Sequence, residues 1–385
     1  MKQPRVFGRP RLSQTTLSFT LKRPAFKGRQ FQTLPAPTGP PPFHLDLKDV
    51  VPGDLYKAIA RGKRMVFHTA GDLGGIKFAV PQQLVADGLE RDFDPNAANP
   101  ADNPAFFYGL GDCVYYNGQG AEYFAQFYQP YEHYLAPIFA VPGNHDGDAV
   151  SPETSLEAFK RNFCSPAPVI TQDAGESSRH AMTQPNVFWT LITPVVNFVG
   201  LYTNVPEGGE LHQDQIDWLA GELRSLDRSV PLIVTMHHPI YSADDHHSGS
   251  QHMRSALNDA VKAARGRYPD MVLAGHVHDY QRFTHRVGGR QIPYIVAGAG
   301  GYWHLHKVAR VDGERLIPPQ TLTEEQDTVT LEQYLDDRHG FLRLEVAGDL
   351  IIGKYYGVPR PQESWSGGAR LVDSFQFNWR THRLV

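Results

Sequence analysis

Five short polar clusters carry the residue types that hold metal ions or move protons. They are Gly71-Asp72-Leu73-Gly74-Gly75, Gly111-Asp112-Cys113-Val114-Tyr115, Gly143-Asn144-His145-Asp146, His237-His238-Pro239-Ile240-Tyr241 and Gly275-His276-Val277-His278. Together they offer carboxylates, an amide oxygen, phenols and imidazoles, with Cys113 as the lone thiol. Such a donor set suits hard or borderline ions such as iron, manganese or zinc rather than copper(I) or an iron–sulfur cluster. Taken singly, each cluster reads equally as a turn, since Gly-Asp and Gly-Asn-His-Asp are ordinary turn sequences. Histidines at i and i+2 of an extended chain point to the same side, which favours joint action by His276 and His278.

Each cluster follows a run fit for a strand. The strand candidates are Met65–Thr69, Ala105–Leu110, Ile138–Val141, Val187–Ile192, Val195–Thr203, Leu232–Met236, Met271–Ala274 and Ile292–Val296, all short and rich in β-branched or aromatic residues. Helical periodicity falls at Glu122–Tyr134, Ser155–Phe163, Leu211–Ser225 and Met253–Arg265. The alternation predicts an α/β layered domain, and ligands of open α/β sheets bind outside the carboxyl ends of the strands. All five clusters are therefore expected on one sheet rim. Phe341–Val346 and Leu350–Tyr355 read as a hairpin. The polar, acidic stretch 312–337 reads as an insertion or mobile loop, inside a single domain spanning 46–385.

Composition narrows the function classes. The 385 residues carry 37 basic and 41 acidic side chains, a formal charge of -4, which excludes a protein coated in positive charge for nucleic acid. Two cysteines, Cys113 and Cys164, allow neither a disulfide scaffold nor a thiolate zinc site on their own. The 18 histidines are the unusual feature. Residues 1–45 read as a basic, Pro-rich arm. Its first 30 residues hold eight basic and no acidic side chains but no apolar stretch of secretory length, so a cytoplasmic location is expected and export stays open. No apolar run has the length of a membrane span.

The five clusters resemble the calcineurin-like binuclear metallophosphoesterases, and within them the purple acid phosphatase branch, over roughly residues 65 to 356. The broad family opens with Asp-x-His; this chain has Asp72-Leu73-Gly74 and places Tyr115 three residues after Asp112, the paired change of the purple acid phosphatase pattern. The resemblance implies a four-layer α/β/β/α sandwich. It also implies Fe(III) in a first metal site held by Asp72, Asp112, Tyr115 and His278. Fe(II), Zn(II) or Mn(II) would occupy a second site held by the bridging Asp112, Asn144, His237 and His276. His145 matches the family's substrate-facing histidine, with Asp146 in position to orient it; His238 and His247 are expected towards the substrate or around the ligands.

The implied chemistry is physically consistent. Asp72, Asp112 and a Tyr115 phenolate carry three negative charges against five positive ones on a trivalent and a divalent ion, leaving two positive charges to attract a phosphate ester. Ions bridged by one carboxylate lie roughly 3.5–4 Å apart, suited to in-line displacement at phosphorus. Metal-activated hydroxide would attack phosphorus directly and His145 would protonate the departing alkoxide. The implied activity is phosphomonoester hydrolysis of the acid phosphatase kind, on small-molecule phosphate esters and without a specific nucleic-acid partner. A phosphodiesterase acting on nucleotides or phospholipid head groups is the alternative. A non-catalytic binder of phosphorylated ligands is the third reading, disfavoured because every ligand position of the branch is filled.

Overall fold

A computed structural model describes residues 33–148, 152–204, 209–311, 313–324 and 327–385. Of the arm expected over residues 1–45, residues 1–32 lie outside them, and His44–Asp46 pairs with the Trp189–Ile192 strand. Two sheets form the body of the chain. The seven-stranded sheet runs in the order Arg383–Leu384, Arg370–Asn378, Leu350–Gly357, Gly340–Ala347, Arg64–Ala70, Pro104–Gly109, Ile138–Ala140, its last three strands parallel. The nine-stranded sheet runs His44–Asp46, Trp189–Ile192, Asn197–Gly200, Leu232–Met236, Met271–Ala274, Arg290–Ala297, Tyr280–Val287, Asp327–Leu335, Gln320–Glu324. Its Asn197–Gly200, Leu232–Met236, Met271–Ala274 and Arg290–Ala297 strands are parallel.

Side-chain alternation along these strands builds three apolar layers. Along Leu232–Met236, Leu232, Val234 and Met236 join one core while Ile233 joins another. Met271 and Leu273 likewise face away from Val272 and Ala274, and Phe106 and Tyr108 away from Phe107. Since a strand's side chains alternate with period two, each sheet presents an apolar surface on both faces. The middle layer, with Phe67, Phe106, Trp189, Phe198, Ile233, Leu273, Leu342 and Leu344, lies between the sheets. Phe67 meets Phe198 edge-on at 4.9 Å and Phe106 at 5.2 Å. Helices Gln213–Ser225 and Gln251–Ala263 cover the outer face of the nine-stranded sheet through Leu219, Leu223, Met253 and Leu257. Helices Val80–Glu90 and Glu157–Phe163 cover the other outer face through Leu84, Leu89, Phe159 and Phe163. The result is the expected α/β/β/α sandwich.

Three sequence expectations change. The five clusters do not share one sheet's rim: three follow strands of the seven-stranded sheet and two follow strands of the nine-stranded sheet, because both sheets are apolar on each face and pack together. The helix expected over Glu122–Tyr134 is replaced by a short turn at Gly120–Glu122 and a π-helical turn at Phe124–Tyr128. Pro130 has no N–H to give a helical ladder, and past Tyr128 the chain continues as turns although its buried and exposed positions keep a helical spacing. Within 312–337, the strands Gln320–Glu324 and Asp327–Leu335 pair as an edge hairpin, with Leu322, Val329 and Leu331 reaching the core between polar neighbours. Helices Gly53–Gly62 and Val80–Glu90 escaped the periodicity reading.

Candidate metal centre

The loops after five parallel strands converge where the two sheets meet. Asp72 follows Arg64–Ala70, Asp112 and Tyr115 follow Pro104–Gly109, Asn144 follows Ile138–Ala140, His237 follows Leu232–Met236, and His276 and His278 follow Met271–Ala274. Their donor atoms form two triangles. In the first, the Tyr115 hydroxyl lies 3.2 Å from Asp72 Oδ1 and 3.4 Å from His278 Nε2, which is 3.3 Å from the same Asp72 oxygen. In the second, Asn144 Oδ1 lies 3.0 Å from His237 Nε2 and 3.1 Å from His276 Nδ1, and the two nitrogens are 3.3 Å apart. Asp112 stands between the triangles, with Oδ2 3.4 Å from His237 Nε2 and its charge close enough to the Tyr115 phenol to raise it.

These spacings are those of a coordination polyhedron. For metal–donor bonds of about 2.1 Å, adjacent donors lie about 3.0 Å apart in an octahedron and about 3.4 Å apart in a tetrahedron. The charge balance points the same way. Asp72 and Asp112 are 0 % and 1 % exposed, and buried carboxylates side by side require cationic compensation. The residues present therefore fit a pair of metal ions, one facing the phenol and one facing the amide oxygen.

Backbone conformation confirms that the loops are held against local preference. Asp72, Asp112 and His276 have φ of 58°, 52° and 68°, the left-handed region that costs a non-glycine residue of order 1–3 kcal/mol each. Two glycines permit the close approach. Gly111 has φ of 94°, and a Cβ on Gly143 would collide with the Asp112 carboxylate.

Backbone groups orient the imidazoles. His237 Nδ1 donates to the Leu110 carbonyl at 2.8 Å and His278 Nδ1 to the His304 carbonyl at 3.1 Å, which leaves each Nε2 free to ligate. For His237 the orienting group is thus a carbonyl and not a carboxylate. The second carboxylate oxygens are held too, Asp72 Oδ2 by the His276 N–H at 2.7 Å and Asp112 Oδ1 by the His145 N–H at 3.0 Å. Gln126 clamps Tyr115 by accepting from its N–H at 2.9 Å and donating to its carbonyl at 2.6 Å. These backbone partners leave no trace in residue type, and Gln126 was missed because it sits in the segment read as a helix.

One predicted residue stands differently from expectation. Asp146 does not orient the His145 ring: its carboxylate accepts from the N–H groups of Cys113 at 3.1 Å, Val114 at 3.2 Å and Gly143 at 2.8 Å, tying two ligand loops together. The third residue of a helical turn folds back onto its own start, which takes the carboxylate away from its neighbour. His145 Nδ1 instead donates to the Tyr116 carbonyl at 2.7 Å, and its ring lies 4.6 Å from that of Tyr115. His238, expected towards the substrate or around the ligands, is 1 % exposed and packs 5.0 Å from the His237 ring and 4.3 Å from that of His276. The Thr203 hydroxyl holds its Nδ1 at 2.7 Å, and it lies around the ligands. His247 lies with its ring 4.4 Å from that of His276, grouped with His246 and His306. Cys113 is packed in the core.

Without cations His237 and Tyr115 keep their protons. Burial lowers the His237 imidazole, but Asp112 outweighs that effect and raises it to about 9. Burial raises Asp112, and His237 with His145 more than reverses this, holding it below the ordinary carboxylate range. Burial, with Asp112 and Asp72, pushes the Tyr115 phenol well up, so a phenolate there requires a cation.

The calcineurin-like phosphoesterase family model matches residues 65–280, more than half of the chain, and the chain belongs to that family. Among curated proteins it is similar to purple acid phosphatase 21 of Arabidopsis thaliana, 32% identical over 174 residues that make up 43% of this chain and 36% of the relative. Purple acid phosphatase 23 of the same plant is 28% identical over 174 residues, 43% of this chain and 34% of the relative. The chain thus spans about a third of the length of these relatives. In fold it is similar to purple acid phosphatase PPD1 from yellow lupin (Lupinus luteus) seeds, with a TM-score of 0.58, 16% identity, and coverage of 84% of this chain and 55% of that one. It is also similar in fold to GAP50, the anchor in the inner membrane complex of Plasmodium, with a TM-score of 0.54, 14% identity, and coverage of 82% and 89%. Among the described residues no helix is long and apolar enough to cross a membrane.

Proposed function

We propose that this chain hydrolyses phosphomonoesters at a two-metal centre, with Fe(III) facing Asp72, Tyr115 and His278, and Fe(II), Zn(II) or Mn(II) facing Asn144, His237 and His276. The observation that carries the reading is the pair of donor triangles, with edges of 3.0–3.4 Å, on either side of the buried Asp112. When bound, such ions supply Lewis-acid stabilisation of the charge on phosphate oxygens and acidify a water. Tyr115 supports the iron assignment because a phenolate is a hard anionic donor that favours a trivalent ion, whereas two imidazoles and an amide suit a divalent one.

The chain's own residues supply the rest. The half-buried His145 is the proposed general acid. Its Nδ1–H is committed to the Tyr116 carbonyl, which accepts but cannot donate, so the transferable proton belongs to Nε2. Asp146 keeps the loop of Asp112 and the loop of Asn144 in register.

The test is elemental analysis, a visible spectrum and turnover of an aryl phosphate against a bis-aryl phosphate. Iron with a broad visible band and preferential monoester turnover is the expected result. A metal-replete protein that turns over neither ester excludes the enzymatic reading, and preference for the bis-aryl phosphate transfers it to the diesterases.

A further inference from the structure

Lys77, Tyr116 and Trp303 are exposed side chains on three loops that build the two-metal centre. Lys77 lies five residues after Asp72, Tyr116 follows Tyr115, and Trp303 follows Tyr302, whose ring packs 4.4 Å from the rings of both Tyr115 and His278. The loops are tied together: the Tyr302 N–H donates to the Asp72 carbonyl at 2.9 Å and the Gly300 N–H to the Gly71 carbonyl at 3.0 Å. Lys77 Nζ sits 4.9 Å from the centre of the Trp303 ring and 5.7 Å from that of Tyr116, both within reach of a cation–π contact. Its φ is 63°, a left-handed conformation that a residue with a Cβ enters only when its surroundings hold it there. Among the described residues Lys77 makes no ion pair, although Asp87, Glu90 and Glu122 line a hollow with it. Ring faces position its ammonium without neutralising it, as a carboxylate partner would.

Tyr116 joins this lip to the proposed general acid. Its carbonyl accepts from His145 Nδ1 at 2.7 Å, and its ring lies 6.2 Å from that of His145. The leaving oxygen must come within hydrogen-bond reach of His145 Nε2 to take a proton, so the leaving group departs beside Tyr116. We propose that Lys77, held by Tyr116 and Trp303, is a specificity residue that selects phosphate esters whose leaving group carries a second anionic group. This rests on the phosphatase reading and gives it a substrate class. The metals would take the phosphoryl group whatever ester it belongs to, whereas the lip meets what lies beyond the ester oxygen. Tyr116 and Trp303 offer ring faces to a carbon skeleton, and the ammonium offers an exposed cation to a carboxylate or a second phosphate. An exposed pair of this kind changes affinity by roughly two- to fivefold, so Lys77 grades substrates and does not decide whether they bind.

The test is titration calorimetry of the metal-replete full chain with benzylphosphonate and 4-carboxybenzylphosphonate, in which a methylene replaces the ester oxygen. The unaltered protein is expected to bind the carboxylated probe roughly two- to fivefold more tightly at low ionic strength, and less so as salt is added. In Lys77→Met that preference should fall by the same factor while affinity for benzylphosphonate stays unchanged, and Lys77→Arg should restore it. The kcat/KM values of phenyl phosphate and 4-carboxyphenyl phosphate should follow the same order. A third probe with a second phosphonate in place of the carboxylate separates the two anions: a further gain assigns the group to a phosphate, no gain to a carboxylate. Equal binding of the first two probes by the unaltered protein, or a preference unchanged in Lys77→Met, overturns the subsite and leaves the phosphatase reading standing. A metal-replete protein that binds no phosphonate defeats that reading, and the subsite with it.

Discussion

Zinc affinity at the site of Asn144, His237 and His276 should rise steeply with pH, and the structure fixes the slope. Of its ligands only His237 changes protonation between neutral and mildly alkaline pH. Burial, with neighbouring histidines, keeps His276 neutral by pushing it well below 6.5, and Asp112 is already ionised. His237 is held protonated up to about 9, and a metal must displace that proton. At pH 7 about one molecule in a hundred has the proton off, a penalty of about 2.7 kcal/mol, or about 100-fold in affinity. Affinity should therefore gain about tenfold per pH unit and level off above about pH 9. The measurement is competition against a chelator of known pH behaviour from about pH 6 to about pH 9.5. It is best done on Tyr115→Phe protein, which has no phenol proton to release. An affinity flat from about pH 6.5 to about pH 8.5 would refute the reasoning, since His237 would then be unprotonated in the empty site or absent from the ligand set. The empty protein shows the opposite trend in folding stability. Its His237 value lies above the ordinary 6.5, so the stabilisation from the Asp112 pair is full below about pH 6.5 and is lost as pH rises through about 9.

Other perturbations separate the remaining roles. Tyr115→Phe should abolish the visible band of the iron-loaded protein while far-ultraviolet circular dichroism stays unchanged; a retained band would remove the phenolate from the site. Asp146→Asn should cost about 1–3 kcal/mol in denaturant unfolding, because an amide cannot accept all the backbone N–H groups the carboxylate now satisfies. The alkaline limb of its pH–rate profile should stay in place; a shifted limb would restore Asp146 as the partner of His145. Phe106→Ala, between the sheets, should destabilise by about 3–5 kcal/mol in the same assay. A loss below about 1 kcal/mol would contradict the close packing of that layer.

The five clusters were legible because their chemistry is local: each pairs a strand end with candidate donors, and a strand directs its successor residues to one edge. Which seven of their side chains would hold metal, Tyr115 among them, was implied only by the resemblance to the purple acid phosphatase pattern. The alternating runs likewise announced most strands, since burial on both faces demands continuous apolar sequence. Which sheet each strand joins was not legible, because an all-apolar strand fits either one; only packing the two middle faces together decides that the site lies at a seam. The roles of Asp146 and His238 also required tertiary structure. A carboxylate beside a histidine in sequence takes whichever donors the fold aims at it, and here those are three backbone amides. Likewise His306 joins His246 and His247 across a gap of about 60 residues, which no spacing rule encodes. Residue type determined what could bind a metal, and only the long-range contacts determined which oxygens and nitrogens face one another, because those directions are set by backbone far away in sequence.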